Sequence, residues 1–164
     1  MDENKEQEII IKIQKLKSNK LFDWTMKTLS KIFNLHNFII IILVLTAMKK
    51  LTNKNIYVII TSFIIITFFK LNINRIRPYM ANNKIQKLEQ DYIDEQSFPS
   101  GHTFFSIILT HILYNNFNIN LTFIPYLVGL SRIYLGVHYP SDIIGSFMLS
   151  KIISKLYIHK KDRY

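Results

Sequence analysis

Long apolar runs separated by basic clusters set the pattern of this chain. Ile32–Met48 holds no Asp, Glu, Lys or Arg and includes the run Phe38-Ile-Ile-Ile-Ile-Leu-Val-Leu, and Asn55–Phe69 is a second such stretch. Thr103–Tyr114, Leu121–Leu130 and Ile143–Ile158 complete the series, and no charged residue stands between Gln96 and Ser131. An amphipathic helix on a soluble protein carries charge on its outer face every turn or so. The pattern here predicts bilayer-buried segments with basic ends. A helix of about 15 residues spans only about 22 Å against a hydrocarbon core of roughly 30 Å. The first two runs lengthen by taking in flanking residues, with Lys49, Lys50 and Lys54 snorkelling to the surface. Isoleucine-rich runs also suit buried strands, but strands need frequent turn residues, and the chain has only 4 Gly and 4 Pro. The expectation is an all-α, membrane-embedded helical bundle of about five or six spans, one domain over residues 1–164, with any active site at one membrane face.

The rest of the chain reads as surface. Met1–Lys20 opens with Asp2, Glu3, Glu6 and Glu8, then sets isoleucines among lysines. It lacks the apolar core and small-residue cleavage site of a secretory signal, so residues 1–20 are expected to form a basic arm, interfacial or cytosolic. Residues 21–33 place Leu21, Phe22, Trp24, Leu29, Ile32 and Phe33 among charges, which fits an amphipathic interfacial helix or a helix packed on the domain. Residues 72–98 are polar and are expected to form an extramembrane loop.

Composition narrows the classes. With 49% hydrophobic residues the chain is neither disordered nor collagen-like. With 0 Cys it has no disulfide framework, no Cys-ligated zinc and no thiol nucleophile. The net charge of +10 would suit nucleic acid, but the cations flank apolar spans and form no continuous face, so no nucleic-acid partner is expected.

Three stretches hold the candidate chemistry. Lys70-Leu-Asn-Ile-Asn-Arg75-Ile-Arg77-Pro78 comes directly after an apolar run, so its cations are held at the surface; alone, such a stretch is usually an orienting flank. In Ser97-Phe98-Pro99-Ser100-Gly101-His102-Thr103, Pro99 stops a preceding helix and Ser100 is a natural N-cap. The free N–H groups there form an anion pocket that Gly101 lets a ligand approach, with His102 on the first turn. In Ser131-Arg132-Ile-Tyr-Leu-Gly-Val-His138-Tyr139-Pro140-Ser141-Asp142, the turn can fold Asp142 back onto His138. That would fix the tautomer and leave the other ring nitrogen free to attack. A buried structural His–Asp pair explains as much, but not Arg132, a costly charge among apolar residues without an anionic partner.

Taken together, Lys-x6-Arg-Pro, Pro-Ser-Gly-His and Ser-Arg-x5-His-x3-Asp closely resemble the tripartite signature of the type 2 phosphatidic acid phosphatase superfamily. The positions are Lys70, Arg77 and Pro78, then Pro99, Ser100, Gly101 and His102, then Ser131, Arg132, His138 and Asp142. The resemblance runs from about Phe22 to Lys155, and the apolar spans fit the membrane-integrated lipid phosphatase branch. It implies that His138 attacks phosphorus, Asp142 orients it, and His102 protonates the departing oxygen and later activates water. It also implies that Lys70, Arg77, Arg132, Ser100 and Gly101 hold the phosphate oxygens, with no metal and no cofactor. Asp91, Asp94 and Glu95 read as a solvated acidic face. Arg75 is open between a second phosphate contact and a basic flank. His111 is about half a turn round its helix from His102, and His36 and His159 have no motif context.

The expected partners are the bilayer and a lipid phosphate or diphosphate. By resemblance undecaprenyl diphosphate is favoured, with phosphatidylglycerol phosphate, phosphatidic acid and lipid A 1-phosphate as rivals. A phosphotransferase and a non-catalytic membrane scaffold are the competing functions. The expected location is the bacterial inner membrane with the site facing the periplasm or exterior. The sequence leaves the number of spans and the oligomeric state open.

Overall fold

A computed structural model describes residues 2–89 and 95–158. Asp91, Asp94, His159 and the end of the basic tail lie outside these residues. Eight α-helices are described: α1 Glu3–Gln14, α2 Lys20–Ile32, α3 Leu35–Ala47, α4 Asn53–Asn72, the single turn α5 Pro78–Ala81, α6 Gly101–Phe117, α7 Ile124–Tyr134 and α8 Pro140–Ile158. A 3-10 turn at Lys15–Ser18 joins the first two. Among the described residues the extended structure is limited to one isolated bridge, Ile76 to Gln96. The isoleucine runs are therefore helical, as the scarcity of turn residues requires.

Capping residues mark the boundaries. Asn34 accepts the Asn37 N–H at 2.8 Å and starts α3 anew, and the chain bends by 50° between α2 and α3. Thr52 and Asn55 form a reciprocal capping box at the start of α4. Asn118, at φ 57°, closes α6 in the left-handed conformation that asparagine tolerates. At the same end, the Asn116 side chain donates to the Lys50 carbonyl and to Asn55 Oδ1, tying α6 to the start of α4.

The main core lies between α3, α4, α6 and α8. The rings of Phe38, Phe63 and Phe105 pack tilted against one another, and Ile59, Ile66, Ile108, Ile112 and Ile153 belong to the same core. A second cluster sets Met26 of α2 against Tyr134, Leu135 and Val137 at the end of α7, and a third sets Ile10 of α1 against Ile85 and Tyr139. Thus α1 and α2 pack on the end of the bundle where α7 finishes and α8 begins.

The outer faces are apolar too. Ile40, Leu43, Ile60, Ile64, Met148 and Ile152 are all exposed, Ile64 by 63%. Large contiguous apolar patches mark protein or membrane contact surfaces. Among the described helices, α4 is long and apolar enough to cross a membrane, and the bent pair α2–α3 passes the same test as a broken span.

Candidate active site

Chain direction gathers the three motifs. The C-terminus of α4, the N-terminus of α6, the C-terminus of α7 and the N-terminus of α8 share one end of the bundle. Hydrogen bonds pin these ends together: Ser97 N–H donates to the Arg75 carbonyl at 2.8 Å, and Lys70 Nζ donates to the Gln96 carbonyl at 3.2 Å. Ser146 Oγ bridges the carbonyls of Ser100 and Asp142, locking the start of α8 to the start of α6. Gly145 allows this approach, because a Cβ there would strike the Phe98 ring.

A cavity of about 690 Å³ opens at this end, and Lys70, Arg77, Gly101, His102, Arg132 and His138 line it. Leu35, Phe63, Ile66 and Phe105 line it as well, so one continuous space has a cationic part and an apolar part. His36 stands at its wall beside Asn34 and Leu35, a position its sequence context gives no reason to expect. His111 lines a different cavity and pairs with Asn115 at 2.8 Å.

His138 sits on the turn between α7 and α8. Gly136 makes that turn at φ +76°, where an added Cβ would also collide with the Gln86 carbonyl. The imidazole is buried, with Nε2 3.2 Å from Arg77 Nη1 and Nδ1 3.5 Å from Asp142 Oδ2. A guanidinium only donates, so Nε2 must present its lone pair and the proton belongs on Nδ1, facing the carboxylate. Burial pushes the His138 pKa well below the usual 6.5, and Arg77, Arg132 and Lys70 push it the same way. The ring is therefore neutral, with a lone pair on Nε2.

Asp142 divides its oxygens. Oδ2 accepts the Tyr139 N–H at 2.8 Å and faces His138, while Oδ1 pairs with Arg75 at 2.5 Å. Arg75 does not line the cavity: its guanidinium pairs with Asp142, spans to Glu6 at 2.7 Å and covers the Tyr139 ring at 4.0 Å. Burial opposes its charge, but Asp142 and Glu6 outweigh that and hold its pKa above the ordinary value.

Arg77 and Arg132 are both buried. Arg77 also donates to the Val137 carbonyl at 2.7 Å. Arg132 Nη1 meets Glu89 and the Ser30 hydroxyl, and Ser30 donates to the same Glu89 oxygen at 2.6 Å. The anionic partner that Arg132 demands is thus supplied within the chain, from the polar connection after α5. Ser100 takes the N-cap position of α6, but its hydroxyl makes no capping bond. Instead it lies 3.0 Å from Thr103 Oγ1, buried behind Gly101. Gly101 itself has room, since a Cβ there would meet only the Ile66 methyl at 3.8 Å.

Glu6, Ser30 and Glu89 carry no sequence signal. Each is an ordinary residue in a polar or amphipathic stretch, and its partner lies 43 or more positions away.

The family model of the PAP2 superfamily matches residues 51–163, which covers every residue of the three motifs. The chain belongs to the PAP2 superfamily. Two relatives are similar in sequence. One is the bacitracin transport permease protein BcrC of Bacillus licheniformis, 35% identical over 85 residues, covering 50% of this chain and 41% of the relative. The other is the undecaprenyl-diphosphatase BcrC of Bacillus subtilis (strain 168), 33% identical over 89 residues, covering 52% of this chain and 45% of the relative. The chain matches less than half the length of either. In structure it is similar to a transmembrane PAP2 type phosphatidylglycerolphosphate phosphatase from Bacillus subtilis, with a TM-score of 0.69 and 23% identity, over 96% of this chain and 87% of that one. The PAP2 bundle is therefore the fold of nearly the whole chain, α1 and α2 included.

Proposed function

We propose that this PAP2 chain is a membrane-embedded hydrolase that removes a phosphoryl group from a lipid phosphate or diphosphate without a metal. One observation carries the reading: a single cavity joins Lys70, Arg77, Arg132 and two histidines to an apolar wall of Leu35, Phe63, Ile66 and Phe105. A ligand matching both parts has a phosphate head and a hydrocarbon tail.

The chemistry comes from the residues. His138 Nε2 attacks the terminal phosphorus in line, forming an N–P bond as the P–O bond to the leaving group breaks. His102 gives its proton to the departing oxygen. Water then attacks the phosphohistidine and gives a proton to His102, the N–P bond breaks, and inorganic phosphate leaves. Lys70, Arg77 and Arg132 hold the non-bridging oxygens, whose charge is what a metal would otherwise neutralise. The Gly101 N–H at the start of α6 adds a donor.

The exposed apolar belt supports a bilayer around α3, α4, α6, α7 and α8, five crossings, with α1 and α2 along the face that bears the site. Lys49, Lys50 and Lys54 lie at the other end, and the positive-inside rule puts that end in the cytoplasm. The cavity then faces the exterior or periplasm.

Similarity to an undecaprenyl-diphosphatase favours undecaprenyl diphosphate as substrate. The test is release of inorganic phosphate by the purified full chain in detergent with EDTA present, from undecaprenyl diphosphate, phosphatidylglycerol phosphate, phosphatidic acid and lipid A 1-phosphate. The expected result is turnover in EDTA, fastest on undecaprenyl diphosphate. Faster turnover of another lipid overturns the substrate, and activity that requires an added divalent ion overturns the mechanism.

A further inference from the structure

Glu6 is fully buried on α1, although it is flanked in sequence by Lys5 and Gln7. A buried carboxylate is expensive unless every lone pair is used. Here both oxygens are used. Oε1 accepts the Ser141 N–H at 2.7 Å, and Oε2 accepts the Ser141 hydroxyl at 3.0 Å and Arg75 Nη2 at 2.7 Å. Arg75 Nη1 then reaches Ser141 Oγ at 2.6 Å and Asp142 Oδ1 at 2.5 Å. Glu6 is therefore joined to the partner of His138 through one guanidinium and one serine.

We infer that Glu6 is a positioning residue for the His138–Asp142 pair, acting through Arg75 and Ser141. The inference rests on the proposed phosphohistidine mechanism and adds to it a residue from outside the three motifs. The role is electrostatic. As His138 attacks, its ring gains positive charge that Asp142 must balance. Arg75 alone would draw on that same carboxylate and cancel it. With Glu6 sharing the guanidinium, the Glu6–Arg75–Asp142 group keeps one net negative charge facing the imidazole. Glu6 also fixes the direction of Asp142, because Ser141 precedes it in the chain and is held by both Glu6 oxygens. Glu6 does not line the cavity, so its effect falls on the reacting group and not on substrate binding.

The helix has other anchors. Ile10 packs on Ile85 and Tyr139, and Gln14 donates to the carbonyls of Gln86 and Tyr134. Glu6→Gln thus keeps shape and docking while removing charge. The experiment compares wild type, Glu6→Gln, Glu6→Asp and His138→Ala, as full chains in nanodiscs, on undecaprenyl diphosphate. For Glu6→Gln the expected result is a fall in kcat of about tenfold with KM within about twofold, and for Glu6→Asp recovery of most of that loss. In parallel, ring-15N-labelled histidine NMR reads the His138 Nδ1–H, whose resonance moves in Glu6→Gln with or without turnover.

A kcat within about twofold of wild type together with an unmoved Nδ1–H signal overturns the inference. So does a loss that shows only in KM or in the yield of folded protein. Full activity in His138→Ala refutes the mechanism instead. If wild type is inert on this lipid while the NMR signal still moves, the substrate reading fails and the positioning role stands.

Discussion

Arg77 and His138 meet at one ring nitrogen: Arg77 Nη1 lies 3.2 Å from His138 Nε2, with both side chains almost wholly buried. The contact does two things. It keeps the proton off Nε2, because a guanidinium cannot accept one. It also places a cation beside the nitrogen that, in the proposed mechanism, attacks the phosphate.

This geometry predicts a histidine that does not titrate near neutrality. Burial and the surrounding cations lower its pKa well below 6.5. In NMR of ring-15N-labelled protein, with His138→Ala used for assignment, the His138 signals should stay those of a neutral ring at pH 6.5. A midpoint at or above 6.5 would contradict the neutral nucleophile. The linked stability has a definite sign. Below about pH 6.5 the unfolded chain binds a proton at position 138 that the folded chain refuses, so stability falls as pH drops through that range.

Glu89 gives a second prediction. Its carboxylate shares the Arg132 guanidinium with Ser30, at the wall of the cavity that holds the cations. A phosphate reaching Arg132 must compete with that carboxylate. Glu89→Gln removes the competing charge but keeps a hydrogen-bonding oxygen. The expected outcome is tighter inhibition by orthovanadate, by about threefold to tenfold, each factor of ten being about 1.4 kcal/mol. An unchanged or weaker inhibition constant would mean that Glu89 does not stand in the path of the anion.

Gly101 separates packing from binding. The protein leaves space for a methyl group there, the nearest atom being the Ile66 methyl at 3.8 Å. Alanine is also the better helix former, by about 1 kcal/mol in a helix interior. Gly101→Ala should therefore keep or raise thermal stability. If the backbone N–H at this position receives phosphate, the same methyl group enters the cavity and KM rises by about tenfold or more. Unchanged kinetics in a stable variant would remove Gly101 from the phosphate site.

Much of the fold and site is legible in the sequence, for reasons that differ by residue. The apolar runs over α3 and α4 are readable because hydropathy is local, and the Asn34 and Thr52 caps sit at their edges. The cavity gathers Lys70, Arg77, Gly101, His102, Arg132 and His138, whose spacing and order carry the signature. Pairing over distance is what escapes. Glu6 is one of four acids in an N-terminal stretch that reads as a surface arm, yet it is buried against Arg75, 69 positions on. Nothing local distinguishes it from the exposed Glu8 two positions later. Arg75 reads equally as a phosphate contact or a surface flank, whereas its partners are the carboxylates of Asp142 and Glu6, the second on a distant helix. The Ser100 hydroxyl makes no capping bond and lies instead 3.0 Å from the Thr103 hydroxyl, one turn on. Local propensity carries no information about such pairing.

The central claim is that His138 takes the phosphoryl group from the substrate. The direct test is rapid alkaline quench of the full chain with undecaprenyl diphosphate carrying 32P in its terminal phosphate, then peptide mapping. Label on the peptide bearing His138, absent in His138→Ala, is the predicted result. Label on another residue, or phosphate release by His138→Ala at a rate near wild type, would contradict it.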